Sequence, residues 1–444
     1  MQQTIKPSFI DIILNNFQIW ALQNPNHLLS RISLPIISFI EGFLANPPTY
    51  LDNKRQALGS NFCCGGQVVM SDFTDVQTAL TSPQARTWRL GTSMLDPNHA
   101  PNLDVGGRNV FLLSLSDLEA NGSTDHQNFR RCMQNYVIND AAQLRQKDVI
   151  AQKLLHQLAT DYQNMPHDRG GSFFTDVNQG LMGFIVRYLH YVLFRINPDD
   201  EEAIATLTEV YYTNIGTLHY FTGVGSLMQK LNIKGHGKQQ QLIEQTATIY
   251  ENSPVLAEFP ENNPEYNYMT RRELAKLMTS IMSIAALIGP LFLAYVSMGN
   301  RPFPAYKGHK TDEIDVTKYW DTLDLDDRQS ILCYLLECAR LRLPVGASHR
   351  VATEPFTVVM AGKERTFPAG TKVLIPMILG MLDQNFWGAT AYDFNPQREN
   401  LCPYHLGFHS VGDSHAGRIC PGRDIALNML IDVISIVGKV RRSS

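Results

Sequence analysis

Gly412-Asp413-Ser414-His415-Ala416-Gly417-Arg418-Ile419-Cys420-Pro421-Gly422-Arg423-Asp424-Ile425-Ala426 is the stretch whose reading decides the fold. A cysteine follows a glycine-rich loop and stands just before an apolar run, Ile425, Leu427, Met429, Leu430, Val433 and Ile434, whose spacing is helical. Cys420 is thereby placed at a helix N-terminus, where unpaired N–H groups and the positive end of the helix dipole favour thiolate over thiol. A thiolate held in this way is a ligand for haem iron, to which it pushes electron density. In that reading Gly417 and Gly422 let the backbone pass beneath a flat macrocycle, and Arg418 reaches a propionate. The competing reading is a cysteine that packs as a small hydrophobe. The loop alone does not separate the two.

Outward from the loop, the 444 residues are 44% hydrophobic and 18% charged, with a formal charge of −4. A chain of this kind buries a large core. The near-neutral balance and the lack of a long basic run exclude nucleic-acid binding built on charge. The seven cysteines form no C-x-x-C pair and no zinc spacing, which reads as a reduced, cytoplasmic protein. No uninterrupted apolar core of a signal peptide stands near the N-terminus. Ile32 to Leu44 is too short to span a bilayer and carries Glu41. The first 45 residues do lend themselves to lying on a membrane surface, so membrane contact is at most peripheral.

The periodicity predicts helices over 8–22 and 27–45, closed by Asn46-Pro47-Pro48. A strand follows at Val68-Val69-Met70, and Asp72 caps a helix to about Leu80. Residues 82–123 have no period and read either as a binding loop or as a surface excursion. Thr124 to Met165 is helical, with His126 and Arg130 four apart on one face, where they suit two propionates or simply meet solvent. Further helices are expected over 173–196 and 199–216. Arg271 to Met298 is the longest helical candidate, apolar nearly all round from Ile281 to Val296. Gly289-Pro290 interrupts it, which predicts a kink beside a cavity or a kink made for packing. Asp326 to Arg342 carries Glu337 and Arg340, three apart and able to pair, with Arg398 as a third member. Beyond Pro344 the pattern turns to strands, 356–360 and 371–376, around turns at Ala361-Gly362-Lys363 and Pro368-Ala369-Gly370. Arg350 stands just before them, and a last helix runs from Ile425 to Val440.

In this order the features resemble the cytochrome P450 family. Glu337 to Arg340 matches its E-x-x-R helix, Pro368-Ala369-Gly370 its P-A-G turn, and Phe394, Pro396 and Arg398 its F-x-P-x-R element. Cys420, Gly422 and Ala426 match C-x-G-x-x-x-A, and His126 with Arg130 matches its H-x-x-x-R pair. The resemblance implies a mainly α fold with a small β-rich lobe, as one domain over 1–444. Its parts are N-terminal helices (1–48), a helical core (124–300), a β-rich part (344–380), and the haem-cysteine loop with the last helix (401–444). It implies haem b (iron protoporphyrin IX) on Cys420, with His126, Arg130, Arg350, Arg418 and Gly422 around the cofactor. Gly289 and Pro290 would then mark the distal helix, and Glu337, Arg340 and Arg398 the scaffold.

Two departures bear on function. Where the family places Phe and Gly, seven and four residues before the cysteine, this chain has Asp413 and Ala416; Phe408 and Gly412 suggest extra residues in the loop. The central helix also lacks the acid and Thr that deliver protons to dioxygen. Members without that pair include peroxide-using fatty-acid peroxygenases, in which an Arg precedes the helix Pro, and enzymes that rearrange fatty-acid hydroperoxides; here Gly289 precedes Pro290. The resemblance therefore implies oxidation of a hydrophobic small molecule, by a monooxygenase with a ferredoxin or reductase donor or by a peroxygenase using peroxide. The alternatives are a hydroperoxide isomerase or lyase and a non-catalytic haem or ligand-binding protein.

Overall fold

The computed structural model describes residues 8–44, 48–81, 85–87, 104–105, 108–109, 125–213, 236–266, 268–282, 288–399, 401, 406–408 and 419–443. The chain opens with α1 (Phe9–Gln23) and α2 (Leu28–Leu44), where the apolar spacing puts helices. The prolines after α2 do more than close it. Pro48 is the first residue of α3 (Pro48–Leu58), a position where a missing N–H costs no bond. β1 (Asn61–Cys64) and β2 (Gln67–Met70) pair across Gly65-Gly66, whose φ angles of 62° and 68° suit a tight hairpin. Asp72 accepts from the Thr74 N–H at 2.9 Å and starts α4 (Phe73–Thr81). Of the stretch 82–123, only β3 (Ala85–Thr87), β4 (Asp104–Val105) and β5 (Arg108–Asn109) are described, so its expected binding role lies outside the described residues.

The helical run over 124–165 is three helices, α5 (Asp125–Tyr136), α6 (Asp140–Arg145) and α7 (Val149–Asn164). Side-chain caps cut it. Asn139 Oδ1 accepts from the Ala142 N–H, and Asp148 Oδ1 from those of Ile150 and Ala151, each at 3.0 Å. α8 (Gly180–Phe194), α9 (Glu201–Thr208) and α10 (His236–Glu251) follow. α11 (Arg271–Ile281) opens on a capping box between Thr270 and Glu273, and α12 (Ile288–Ser297) continues the apolar run. α13 (Arg328–Leu341) carries the E-x-x-R pair, and α14 (Arg423–Ser443) ends the chain.

β6 (Ser348–Ala352), β7 (Phe356–Met360), β8 (Lys363–Phe367) and β9 (Lys372–Ile375) make up the β-rich part. β8 is hidden in the sequence, because Lys-Glu-Arg-Thr has little strand character. Among the described residues it pairs with β7 alone, through a turn at Ala361-Gly362 with φ of 49° and 73°. The main sheet has the order β1-β2-β9-β6-β3, with β2 and β9 parallel.

The chain divides into two compact units, each gathered from separate stretches. The first takes Met1–Thr87, Pro302–Asp315 and Leu336–Cys420; the second takes Trp88–Arg301, Val316–Leu335 and Pro421–Ser444. Phe62, Val68, Val69, Val76 and Phe367 are wholly buried in the first, and Tyr188, Val192, Phe194, Leu274 and Val433 in the second. Among the described residues no helix is long and apolar enough to cross a membrane.

Candidate functional site

Cys420 is half-buried and stands three residues before α14. Its N–H donates to the carbonyl of Phe408 at 2.9 Å, so an aromatic residue twelve positions earlier returns to the cysteine. The extra residues suggested by Asp413 and Ala416 therefore leave Phe408 beside Cys420, although Gly412, Gly417 and Arg418 themselves lie outside the described residues. Pro421-Gly422 leads into the helix, and the Gly422 carbonyl accepts from the Ala426 N–H at 3.0 Å. α14 is firmly seated within the second unit. Arg328 pairs with Asp432 and donates to Asn428 at 3.1 Å, Ser435 Oγ donates to the Leu325 carbonyl at 2.8 Å, and Gln146 donates to the Ile425 carbonyl at 2.9 Å.

In the first unit, Glu337 and Arg340 have no exposed side-chain surface and pair in bidentate fashion at 2.7 and 2.9 Å. Arg340 also reaches the carbonyls of Met381 (2.8 Å), Ala391 (2.5 Å) and Asp393 (2.9 Å). Five N–H groups thus meet five acceptors, which offsets the desolvation of a buried guanidinium. Glu337 Oε1 accepts further from the Asn395 N–H at 2.8 Å and Arg398 Nε at 3.1 Å. The segment around residues 379–398 is held by a second arginine that sequence reasoning missed. Arg55 of α3 donates to the carbonyl of Leu379 at 2.6 Å and the hydroxyl of Tyr392 at 2.5 Å, and pairs with the fully buried Asp52 at 2.6 Å. Its signal was available, since Asp52 and Arg55 stand three apart, but the preceding prolines read as a turn.

Arg350 lies in β6, 3% exposed, and donates to Ser348 Oγ at 2.5 Å and to the His349 carbonyl at 3.1 Å. Beside it, burial and then the positive charges of Arg350 and Lys372 push His349 down to about 4, so its ring is neutral. His126 and Arg130 both fall in α5, four apart as expected.

Pro290 is the third described residue of α12; residues 283–287, before it, lie outside the described residues, and with them the expected kink at Gly289-Pro290. The hydroxyls of α12 are both engaged: Tyr295 donates to the Phe174 carbonyl at 2.5 Å and Ser297 Oγ to the Ala294 carbonyl at 3.1 Å. The Ser297 carbonyl in turn accepts from Trp320 Nε1 at 3.1 Å and the Tyr334 hydroxyl at 2.5 Å. Behind this helix, still in the second unit, runs a neutral chain. His190 Nδ1 meets the Val186 carbonyl at 2.7 Å and Nε2 the Tyr250 hydroxyl at 2.9 Å, and Tyr250 meets the Tyr211 hydroxyl at 2.7 Å. Burial pushes His190 down to about 4 and both tyrosines up.

No protein-family model and no curated protein matches the sequence. Solved structures do. Cytochrome P450 CYP150A6 of Mycobacterium marinum, in its substrate-free form, is 14% identical over 90% of this chain and 87% of its own, with a TM-score of 0.58. P450 RauA, complexed with a biosynthetic intermediate of aurachin RE, is 15% identical over 92% of each chain, with a TM-score of 0.58. The chain has the cytochrome P450 fold. P450BioI, solved with an acyl carrier protein ligated to hexadec-9Z-enoic acid, gives 0.57 at 14% identity over 90% of this chain and 93% of its own. The mainly α architecture with a small β-rich part, expected from the resemblance, is that of the P450 fold.

Proposed function

We propose that this chain is a haem-thiolate oxidoreductase of the cytochrome P450 family that oxidises a hydrophobic small molecule. One observation carries the reading: on this fold, Cys420 is tied by its amide to Phe408 and stands directly ahead of a 21-residue helix. The residues present fit haem b. Cys420 offers a sulfur just ahead of a helix N-terminus, Arg350 of the same unit a nearly buried guanidinium, and Gly422, two residues after the cysteine, open space, for a Cβ added there meets nothing within 4 Å. Cys420 is assigned as the axial ligand, and His126, Arg130, Arg350 and Arg418 as partners of the propionates. When bound, haem supplies activation of an oxygen–oxygen bond.

The chain's own part is to hold the thiolate, shield it with Phe408, and decide the source of protons. Tyr295 and Ser297 already donate to carbonyls, so α12 offers no ready proton donor beside Gly289 and Pro290. Protons then come from water or substrate. This arrangement supports peroxide as oxidant at least as well as dioxygen with electrons from a ferredoxin or reductase. It also favours a second reading, a hydroperoxide isomerase or lyase that needs no electron donor.

The first test is the spectrum of the reduced, carbon monoxide-bound protein. A Soret band of the thiolate type is expected, lost in Cys420→Ala and moved in Cys420→His while circular dichroism stays unchanged. A wild-type spectrum in Cys420→Ala would overturn the assignment. Incubation with a fatty-acid hydroperoxide without reductant, against free fatty acid with dioxygen and a reductase system, then separates the oxidants. Turnover only in the second arm would remove the weight placed on α12.

A further inference from the structure

α1 and α2 expose an unusual share of their apolar side chains. Ten of the sixteen large apolar side chains that are exposed among the described residues lie on these two helices. Phe9, Ile13 and Trp20, 76%, 48% and 36% exposed, fall within about 40° of one line along α1 at 3.6 residues per turn. Ile32, Ile36 and Ile40, each 55% exposed, form a stripe on α2. On the opposite side polar side chains of both helices are buried, beside the apolar Ile19, Ala21 and Leu22 of α1. Gln18, nine residues from Phe9, has no exposed surface, and Glu41, nine residues from Ile32, is 6% exposed.

Those polar groups are fully engaged with the turn beneath them. Gln18 Nε2 donates to Glu41 Oε2 at 3.0 Å, the Gly66 N–H to Gln18 Oε1 at 3.0 Å, and the Gly65 N–H to Glu41 Oε2 at 2.7 Å. Lys54 of α3 donates to Glu41 Oε1 at 2.9 Å. The contact is close: a Cβ on Gly66 would stand 2.4 Å from Ser38 Oγ of α2. Both helices therefore turn their polar faces onto the β1–β2 turn, and both apolar stripes point away from it. A surface helix ordinarily buries its apolar stripe, and a large exposed apolar patch marks a contact surface.

We infer that this face docks on a bilayer containing anionic lipid, with the two helices lying in its surface. The charges select that occupant. Arg31 is exposed among the apolar residues of α2, whereas the carboxylates of the pair are withdrawn: Glu41 is buried against Lys54, and Asp11 lies 3.7 Å from the same ammonium. Trp20 meets His27 edge-on at 5.0 Å where α1 turns into α2, which places amphipathic rings at headgroup level. Apolar stripes beside one exposed arginine, with no span of bilayer length among the described residues, suit helices lying in an interface. The inference does not depend on the haem reading.

Flotation of the full chain with vesicles tests it. Binding is expected to phosphatidylcholine–phosphatidylglycerol vesicles, weaker to phosphatidylcholine alone and weaker in high salt. Ile32→Ser with Ile36→Ser is expected to lower the bound fraction at least tenfold, on the order of one or two side chains returned to water, at unchanged melting temperature. Val149→Ser, at an apolar residue 85% exposed on α7, should leave binding intact. Wild-type protein that floats with neither vesicle would overturn the inference. So would a dimer in light scattering that the Ile32/Ile36 pair dissolves while vesicle binding is absent, which would assign the face to a second copy.

Discussion

The first unit holds buried ion pairs: Glu337 with Arg340 and Arg398, Asp52 with Arg55, Glu41 with Lys54. In the second, the chains around α8 and α12 are neutral, made of His190, Tyr250 and Tyr211 on one side and Trp320, Tyr334 and Ser297 on the other. The two solutions serve different ends. An ion pair in a dry interior persists only if every donor and acceptor is met, so it fixes the backbone that supplies the carbonyls. A neutral chain keeps its protons in place and adds no mobile charge beside an apolar helix.

The largest effect is expected from breaking the charged side. Arg340→Ala leaves Glu337 buried without its main partner and is expected to cost about 3–5 kcal/mol in urea unfolding. Arg340→Lys should recover little of it, because one ammonium cannot fan across Glu337 and three carbonyls. A loss under about 1 kcal/mol would show that the cluster relaxes.

Acid should separate the two units. His190 is held neutral, with its folded value near 4 against 6.5 ordinarily, so the unfolded chain takes up a proton that the folded one refuses as pH falls through this window. Stability is lost there, by roughly 3 kcal/mol at the acid end. Glu41 works in the other range. Although burial opposes it, the Gly65 N–H and Lys54 hold its carboxyl below 4.5, so its contribution is full above that value and is lost only as pH falls through the folded one. In a background of His349→Asn with His309→Asn, which removes the first unit's two histidines pushed down by burial, hydrogen exchange should quicken in α8 before α1 and α2. Simultaneous loss would erase the distinction.

The smallest effect sharpens the apolar side. Gly289→Ala, in the haem-free protein, should raise stability by about 0.5–1 kcal/mol, since the helix gains propensity and the added methyl meets nothing. A fall in melting temperature would mean that the open space at Gly289 is not available.

Much of this was legible because it is local. Glu337 and Arg340 are three residues apart, and that spacing already states their pairing; the same holds for the helix that follows Cys420. What was hidden depends on distance or on context. The return of Phe408 to Cys420 across twelve residues leaves no periodic mark, and Asp52 with Arg55 was masked by prolines that start a helix rather than stop one. Asn139 and Asp148 divided a run whose apolar pattern continues through them. For α1 and α2 the spacing revealed two faces but not which one is inside, because that is settled by the Gly65-Gly66 turn and by Lys54.

The interleaving of the two units sets the order in which the chain is born. Val68 of β2 waits for Val373 of β9, and the first unit closes only when Leu336–Cys420 has been made. The second requires Pro421–Ser444, made later still. Neither unit can complete itself from the N-terminal half of the chain alone, so folding of a finished N-terminal unit as that half emerges is denied to this protein. Until β9 is made, one edge of β2 lacks its partner, and Val68 and Val69, wholly buried in the folded chain, lack their cover.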